Sequence, residues 1–128
     1  MGKIVRVIDK LRAFPWRRYV KFAYLTGSWA EGRRGRDVDI IISPVDLETY
    51  GELLEALVKH LGVTEDQIDL IPLTPRTPCP FVLDALPKAI PLYVEDIDYV
   101  LRIFNICQDW YIDYKKLELH EVLLEAIR

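Results

Sequence analysis

Apolar positions along this chain switch between a helical and a strand period several times. Ile4, Val7, Ile8 and Leu11 recur at helical spacing, which predicts a short amphipathic helix from Lys3 to Ala13 ended by Phe14-Pro15. The β-rich run "YVKFAYL", Tyr19 to Leu25, predicts a first strand that stops at Gly27. "RDVDIIIS", Arg36 to Ser43, predicts a second, with Val38, Ile40 and Ile42 on one face. Ser43-Pro44-Val45-Asp46 has a capping-box pattern with proline at the first helical position. The helix it introduces buries Leu53, Leu54, Leu57, Val58 and Leu61 and ends at Gly62. "QIDLIPL", Gln67 to Leu73, reads as a third strand, and the prolines of "TPRTPCP" force a loop. "FVLDALPKA" then reads as a short helix, and "IPLYVE" as a final strand whose Pro91 suits a sheet edge. From Asp96 one long helix can run to the C-terminus, either unbroken or broken near Tyr114.

Strands alternating with helices in this order predict an α/β fold, a small mixed β-sheet covered mainly on one face by helices, with a long C-terminal helix. That helix carries two apolar stripes. Val100, Phe104, Cys107, Tyr111 and Tyr114 form one; Ile103, Ile106, Trp110 and Leu117 form the other. One stripe is enough to dock a helix on its own sheet, so the second implies either burial on most sides or a surface for a partner or a second copy.

Composition narrows the picture. With 128 residues, 51% of them hydrophobic, the chain is expected to form a single domain over residues 1–128, with 96–128 as its C-terminal helical segment. A net charge of −3 supplies no global basic field, so direct nucleic-acid binding is not expected. Basic residues are nonetheless clustered: Arg12, Arg17, Arg18 and Lys21, then Arg33, Arg34 and Arg36. Cys79 and Cys107 match neither a metal nor a redox spacing and read as reduced core residues. No leader-like or membrane-spanning run is evident, so a cytoplasmic protein is expected. His60 and His120 read as surface or capping residues rather than catalytic ones.

Candidate chemistry concentrates in "TGSWAEGRRGRDVDIII", Thr26 to Ile42. On a strand, Asp37 and Asp39 project from the same face, and two acids there repel unless a cation lies between them. A hard divalent ion such as Mg²⁺, which takes a few carboxylates plus water and phosphate oxygens, meets that need. Solvated acids on an exposed strand are the plain alternative. Ser28-Trp29-Ala30-Glu31 is itself a capping-box pattern, so Ser28 either caps a short helix or, behind Gly27, opens a helix N-terminus suited to a phosphate. Asp69, inside the apolar run "IDLIPL", is either an exposed acid on a half-buried strand or a third metal ligand.

In this order, Gly27-Ser28, Gly32, Asp37-x-Asp39 and Asp69 resemble the signature of the minimal nucleotidyltransferases of the DNA polymerase β-like superfamily. The resemblance implies the polymerase β-like nucleotidyltransferase fold, two Mg²⁺ ions and ATP as substrate. It implies Asp37, Asp39 and Asp69 as metal ligands, with Asp69 also a base for the attacking hydroxyl, and Gly27 and Ser28 as the triphosphate cradle. Arg33, Arg34 and Arg36 are candidates to meet phosphates from the loop, or form a solvated surface. Two features depart from the family pattern. Eight residues separate Ser28 from Asp37, where about ten are usual, and Arg36 stands where a serine often precedes the first aspartate. Minimal members of the family typically act as antitoxins beside a small helical HEPN partner, transferring AMP onto a tyrosine of that ribonuclease. The resemblance therefore implies a protein adenylyltransferase with a HEPN-type partner; homo-oligomers also fit. Two rival readings stand beside it: a nucleotidyltransferase-fold module that acts only by binding its partner, and transfer to a small molecule.

Overall fold

A computed structural model describes residues 2–32 and 37–127. Helix α1 spans Gly2–Ala13 and lays Val7, Ile8 and Leu11 against the core. The chain then turns through a short 3-10 segment, Trp16–Arg18, whose Trp16 is buried and donates its indole N–H to the Leu11 carbonyl at 2.7 Å. The amides of Tyr19 and Val20 both bond back to the Trp16 carbonyl. They are thereby withheld from any ladder, and β1 begins at Phe22 rather than Tyr19, running Phe22–Thr26.

Strand β2 is Val38–Ile42, β3 is Ile68–Pro72 and β4 is Ile90–Val94. They form one mixed sheet in the order β3-β2-β1-β4. β1 is antiparallel to β2 and β4, whereas β2 and β3 are parallel, which requires the crossover supplied by α2, Leu47–Leu61. β4 lies at the edge, where Pro91 withholds no bond from a central ladder.

Helix α2 starts later than the capping-box pattern suggested. Asp46 is its N-cap and accepts from the Thr49 amide at 2.7 Å; hydrogen bonding first from the Thr49 side chain and then from this amide holds the Asp46 carboxyl below the usual aspartate range. Ser43 is instead buried, accepting from the Lys21 amide at 2.8 Å across the end of the sheet. Gly62 ends the helix in the left-handed conformation, φ 67°, as the sequence implies.

Helices cover both faces of the sheet, not mainly one. On the first face, Ala23, Leu25, Val38, Ile40, Ile42, Ile68 and Leu70 pack with residues of α1 and α2. On the second, Phe22, Tyr24 and Ile41 pack with α3 (Cys79–Ala85) and α4 (Ile97–Ile127). The uninterrupted triplet Ile40-Ile41-Ile42, every member fully buried, carried that signal, since a strand with one wet face alternates.

Cys79 and Cys107 are not free thiols. They form a disulfide that joins the first turn of α3 to the inner side of α4, with Cα atoms 5.1 Å apart. Helix α4 runs 31 residues and is unbroken at Tyr114. Val100, Ile103 and Cys107 bury its first third, and Tyr99 donates its hydroxyl to the Leu73 carbonyl at 3.0 Å. Every residue from Gln108 to Ile127 is exposed, a length of about 30 Å whose first two turns still run beside α3. Both apolar stripes run out onto it, with Trp110 43%, Tyr114 52% and Leu117 66% exposed, so burial on most sides does not describe this half of the helix. No described helix is long and apolar enough to cross a membrane.

Candidate active site

Strand pairing brings the two acids of different strands together. Asp39 on β2 stands directly opposite Asp69 on β3, and on its other side opposite Thr26 on β1. Partners in adjacent strands point to one face with backbones about 4.8 Å apart. That face is the one covered by α3 and α4, because Asp39 and Asp69 alternate with Val38, Ile40, Ile68 and Leu70 of the opposite face. Both line a cleft of about 260 Å³. Thr26 and Gly27 form one wall at the end of β1, and Phe81, Asp84 and Lys88 form the other, from α3 and the 3-10 turn Leu86–Lys88 that follows it.

Gly27 has φ 75°, a conformation that strains any residue with a side chain, and a Cβ placed there would overlap the Asp39 carboxylate. The glycine therefore lets the end of β1 close directly onto the acid. After it, residues 28–32 form successive turns and no regular helix, with the Glu31 amide bonding back to the Gly27 carbonyl at 3.3 Å. The helix N-terminus expected behind Gly27-Ser28 is not formed in the described residues, and Ser28 does not line the cleft. Trp29 and Ala30 pack on the first core cluster and anchor this turn.

Asp37 lies just ahead of β2, exposed at the approach to the cleft. The carboxyl of Asp39 is pushed above the usual aspartate range, first by burial, then by the negative charge of Asp69, then by that of Asp37. An acid so placed favours a cation beside it. Two carboxylates with free space before them suit a hard ion that completes its shell with water and phosphate oxygens, so the donor set fits Mg²⁺. Among the described residues, however, no three acids converge into a closed cage. Arg33, Arg34 and Arg36 lie outside the described residues.

Sequence reading missed Asp84, Lys88 and Thr26. The four-residue spacing of Asp84 and Lys88 in "DALPK" marks an ion pair on a helix, and it is formed at 3.0 Å, but only the fold carries it to the acids.

The chain is thus a four-stranded mixed sheet with paired acids where its antiparallel and parallel halves join, and with a long last helix. No protein-family model and no curated protein matches the chain. Solved structures match it along nearly its whole length. One is a chain of a toxin–antitoxin complex with AMP-PNP, 19% identical, covering 98% of each chain with a TM-score of 0.56. A second belongs to a variant of the MntA toxin–antitoxin complex in which two aspartates two positions apart are glutamates, 17% identical, 98% of each chain, TM-score 0.56. A third belongs to the complex of a tri-AMPylated HEPN toxin from Shewanella oneidensis with its MNT antitoxin, 19% identical, 98% of this chain and 96% of that one, TM-score 0.52. At these identities the likeness is one of fold, and the fold is that of the minimal nucleotidyltransferase antitoxins.

Proposed function

We propose that this chain is a Mg²⁺-dependent nucleotidyltransferase that moves AMP from ATP onto a protein acceptor, a helical partner of the HEPN type. The observation that carries the reading is the placement of Asp39 opposite Asp69 in one cleft, with the bare backbone of Gly27 against the Asp39 carboxylate. Asp39 and Asp69 would hold the metal, with Asp37 completing the set from the approach to the cleft. Gly27 and Ser28, with Arg33 and Arg36 shortly after them in sequence, would meet the phosphates. A metal bound there would neutralise charge developing on the phosphoryl oxygens. Asp69 is the better placed acid to accept the proton of the attacking hydroxyl, because it is exposed while Asp39 is part-buried between strands. The chains of similar fold come from complexes that hold AMP-PNP or an AMPylated HEPN toxin, which supports both the nucleotide and the acceptor.

The decisive experiment is label transfer from α-labelled ATP, with Mg²⁺, to a co-expressed HEPN-type partner, with Asp39→Asn beside the wild type. Label on the partner that disappears in the variant establishes the activity. A second reading, a module acting by binding alone, draws support from the absence of a closed three-acid cage among the described residues. Tight association with no label on an intact partner selects it.

A further inference from the structure

Lys88 is the one cation among the described residues that line the cleft, where it faces four carboxylates: Glu31, Asp39, Asp69 and Asp84. Its ammonium is held by Asp84 at 3.0 Å, one turn back, and lies 3.8 Å from Glu31 on the turn that follows Gly27. The first contact is a hydrogen bond; the second is too long to be one and acts through charge. An ammonium has three donors, so a further acceptor can be taken on without releasing Asp84. Lys88 is about half exposed, and such surface pairs bind weakly, so exchanging Glu31 for a stronger anion is cheap. Glu31, Asp84 and Lys88 line the same cleft as the bare backbone of Gly27, so the ion pair spans two of its walls.

We propose that Lys88 is the cationic ligand of the substrate's phosphate tail. Before nucleotide binds, Glu31 lies against the ammonium; an entering triphosphate displaces Glu31, while Asp84 keeps the ammonium aimed inward. The inference rests on the adenylyl-transfer reading. In that reaction a bond forms between the acceptor oxygen and the α-phosphorus, and the bond from that phosphorus to the bridging oxygen breaks. The electron pair leaves with pyrophosphate, the hydroxyl proton passes to Asp69, and Lys88 meets the charge gathering on the departing pyrophosphate. Glu31 is thus an internal competitor of the substrate, and Asp84 a positioning residue.

The two roles predict changes of opposite sign. Affinities of the full chain for ATP and for AMP, both with Mg²⁺, would be measured by calorimetry for the wild type, Lys88→Met, Lys88→Arg and Glu31→Gln. Lys88→Met should weaken ATP about tenfold or more, the effect of losing one charge-assisted hydrogen bond, while AMP, which lacks the tail, binds as before. Lys88→Arg should restore most of the loss, and Glu31→Gln should tighten ATP. Equal losses for ATP and AMP in Lys88→Met, unchanged ATP affinity there, or weaker ATP binding in Glu31→Gln would each overturn the assignment. A wild type that binds ATP with this Lys88 dependence yet labels no acceptor keeps the assignment and removes the transfer reading. A wild type that binds no nucleotide removes both.

Discussion

Replacing Asp39 by asparagine should remove metal-dependent chemistry and at the same time make the metal-free protein more stable. Asp39 faces Asp69 across a spacing of about 5 Å, at which two carboxylates repel by about 1 kcal/mol in water-like surroundings. The cleft is open enough that this screened value is the appropriate one, and partial burial of Asp39 adds to it. For a chain of this length, about 1 kcal/mol corresponds to roughly 4 °C in Tm. The pH dependence has a definite sign. Because the folded-state pKa of Asp39 is raised, its proton is held more tightly by the folded chain than by the unfolded one. The stability this gives is fully present below the ordinary value of 3.8 and is lost as pH rises through the folded-state value, so the penalty falls on the wild type at neutral pH. Melts of both proteins in chelator at pH 7 should therefore favour Asp39→Asn, and the advantage should shrink toward pH 4. Adding Mg²⁺ should raise the wild-type Tm and leave the variant where it was. An Asp39→Asn protein no more stable than wild type at pH 7, or an advantage that ignores pH, would refute the electrostatic account of this cleft.

Gly27→Ala should cost about 1–2 kcal/mol for the left-handed backbone alone and displace the Asp39 carboxylate as well, so a lower Tm and a loss of nucleotide affinity should appear together in melting and calorimetry. Reducing the Cys79–Cys107 bond, or changing Cys79→Ser, reopens a loop of 28 residues and should cost about 3.5 kcal/mol, a drop of roughly 14 °C in a melt run with and without reductant. Trp110→Glu combined with Leu117→Lys gives up the Trp110–Tyr114 stack but no fully buried side chain, so Tm should fall by no more than a few degrees (about 1 kcal/mol) while co-purification with a HEPN-type partner fails. Retained association in that double variant would exclude the free half of α4 as the docking surface.

Local patterns announced most of the elements, and the misses have local causes. Gly62 and the apolar spacing of α2 state their roles within a few residues, and Pro91 marks an edge strand by its missing donor. Asp37-x-Asp39 was legible for the same reason, being close in sequence. Ser43 resembled a cap because its spacing is right, but Asp46 offers the same chemistry three residues later, and burial of Ser43 under the Lys21 amide settles the choice. Start of β1 was misplaced because Trp16, not the β-propensity of Tyr19 and Val20, decides where their amides go. Partners that depend on how distant segments meet were out of reach. The 28-residue separation of Cys79 and Cys107 carries no sign of pairing, and nothing near Lys88 in sequence points to Asp39 or Asp69.

The second face of the sheet links these late findings. Asp39 and Asp69 open onto the side covered by α3 and α4, and α3 carries Phe81 and Asp84 into the wall of their cleft. The disulfide fixes the start of α3 to Cys107, one residue before the part of α4 in which every described residue is exposed. A partner seated on the exposed stripes of α4 would therefore rest on an element covalently joined to the wall of the cleft, on the same side of the sheet as the acids. Had α4 packed on the face of α1 and α2, the sheet itself would separate acceptor from nucleotide. Under the proposed transfer, the long helix would seat the acceptor on the side of the sheet that carries the acids, and that partner would cover its exposed apolar stripes.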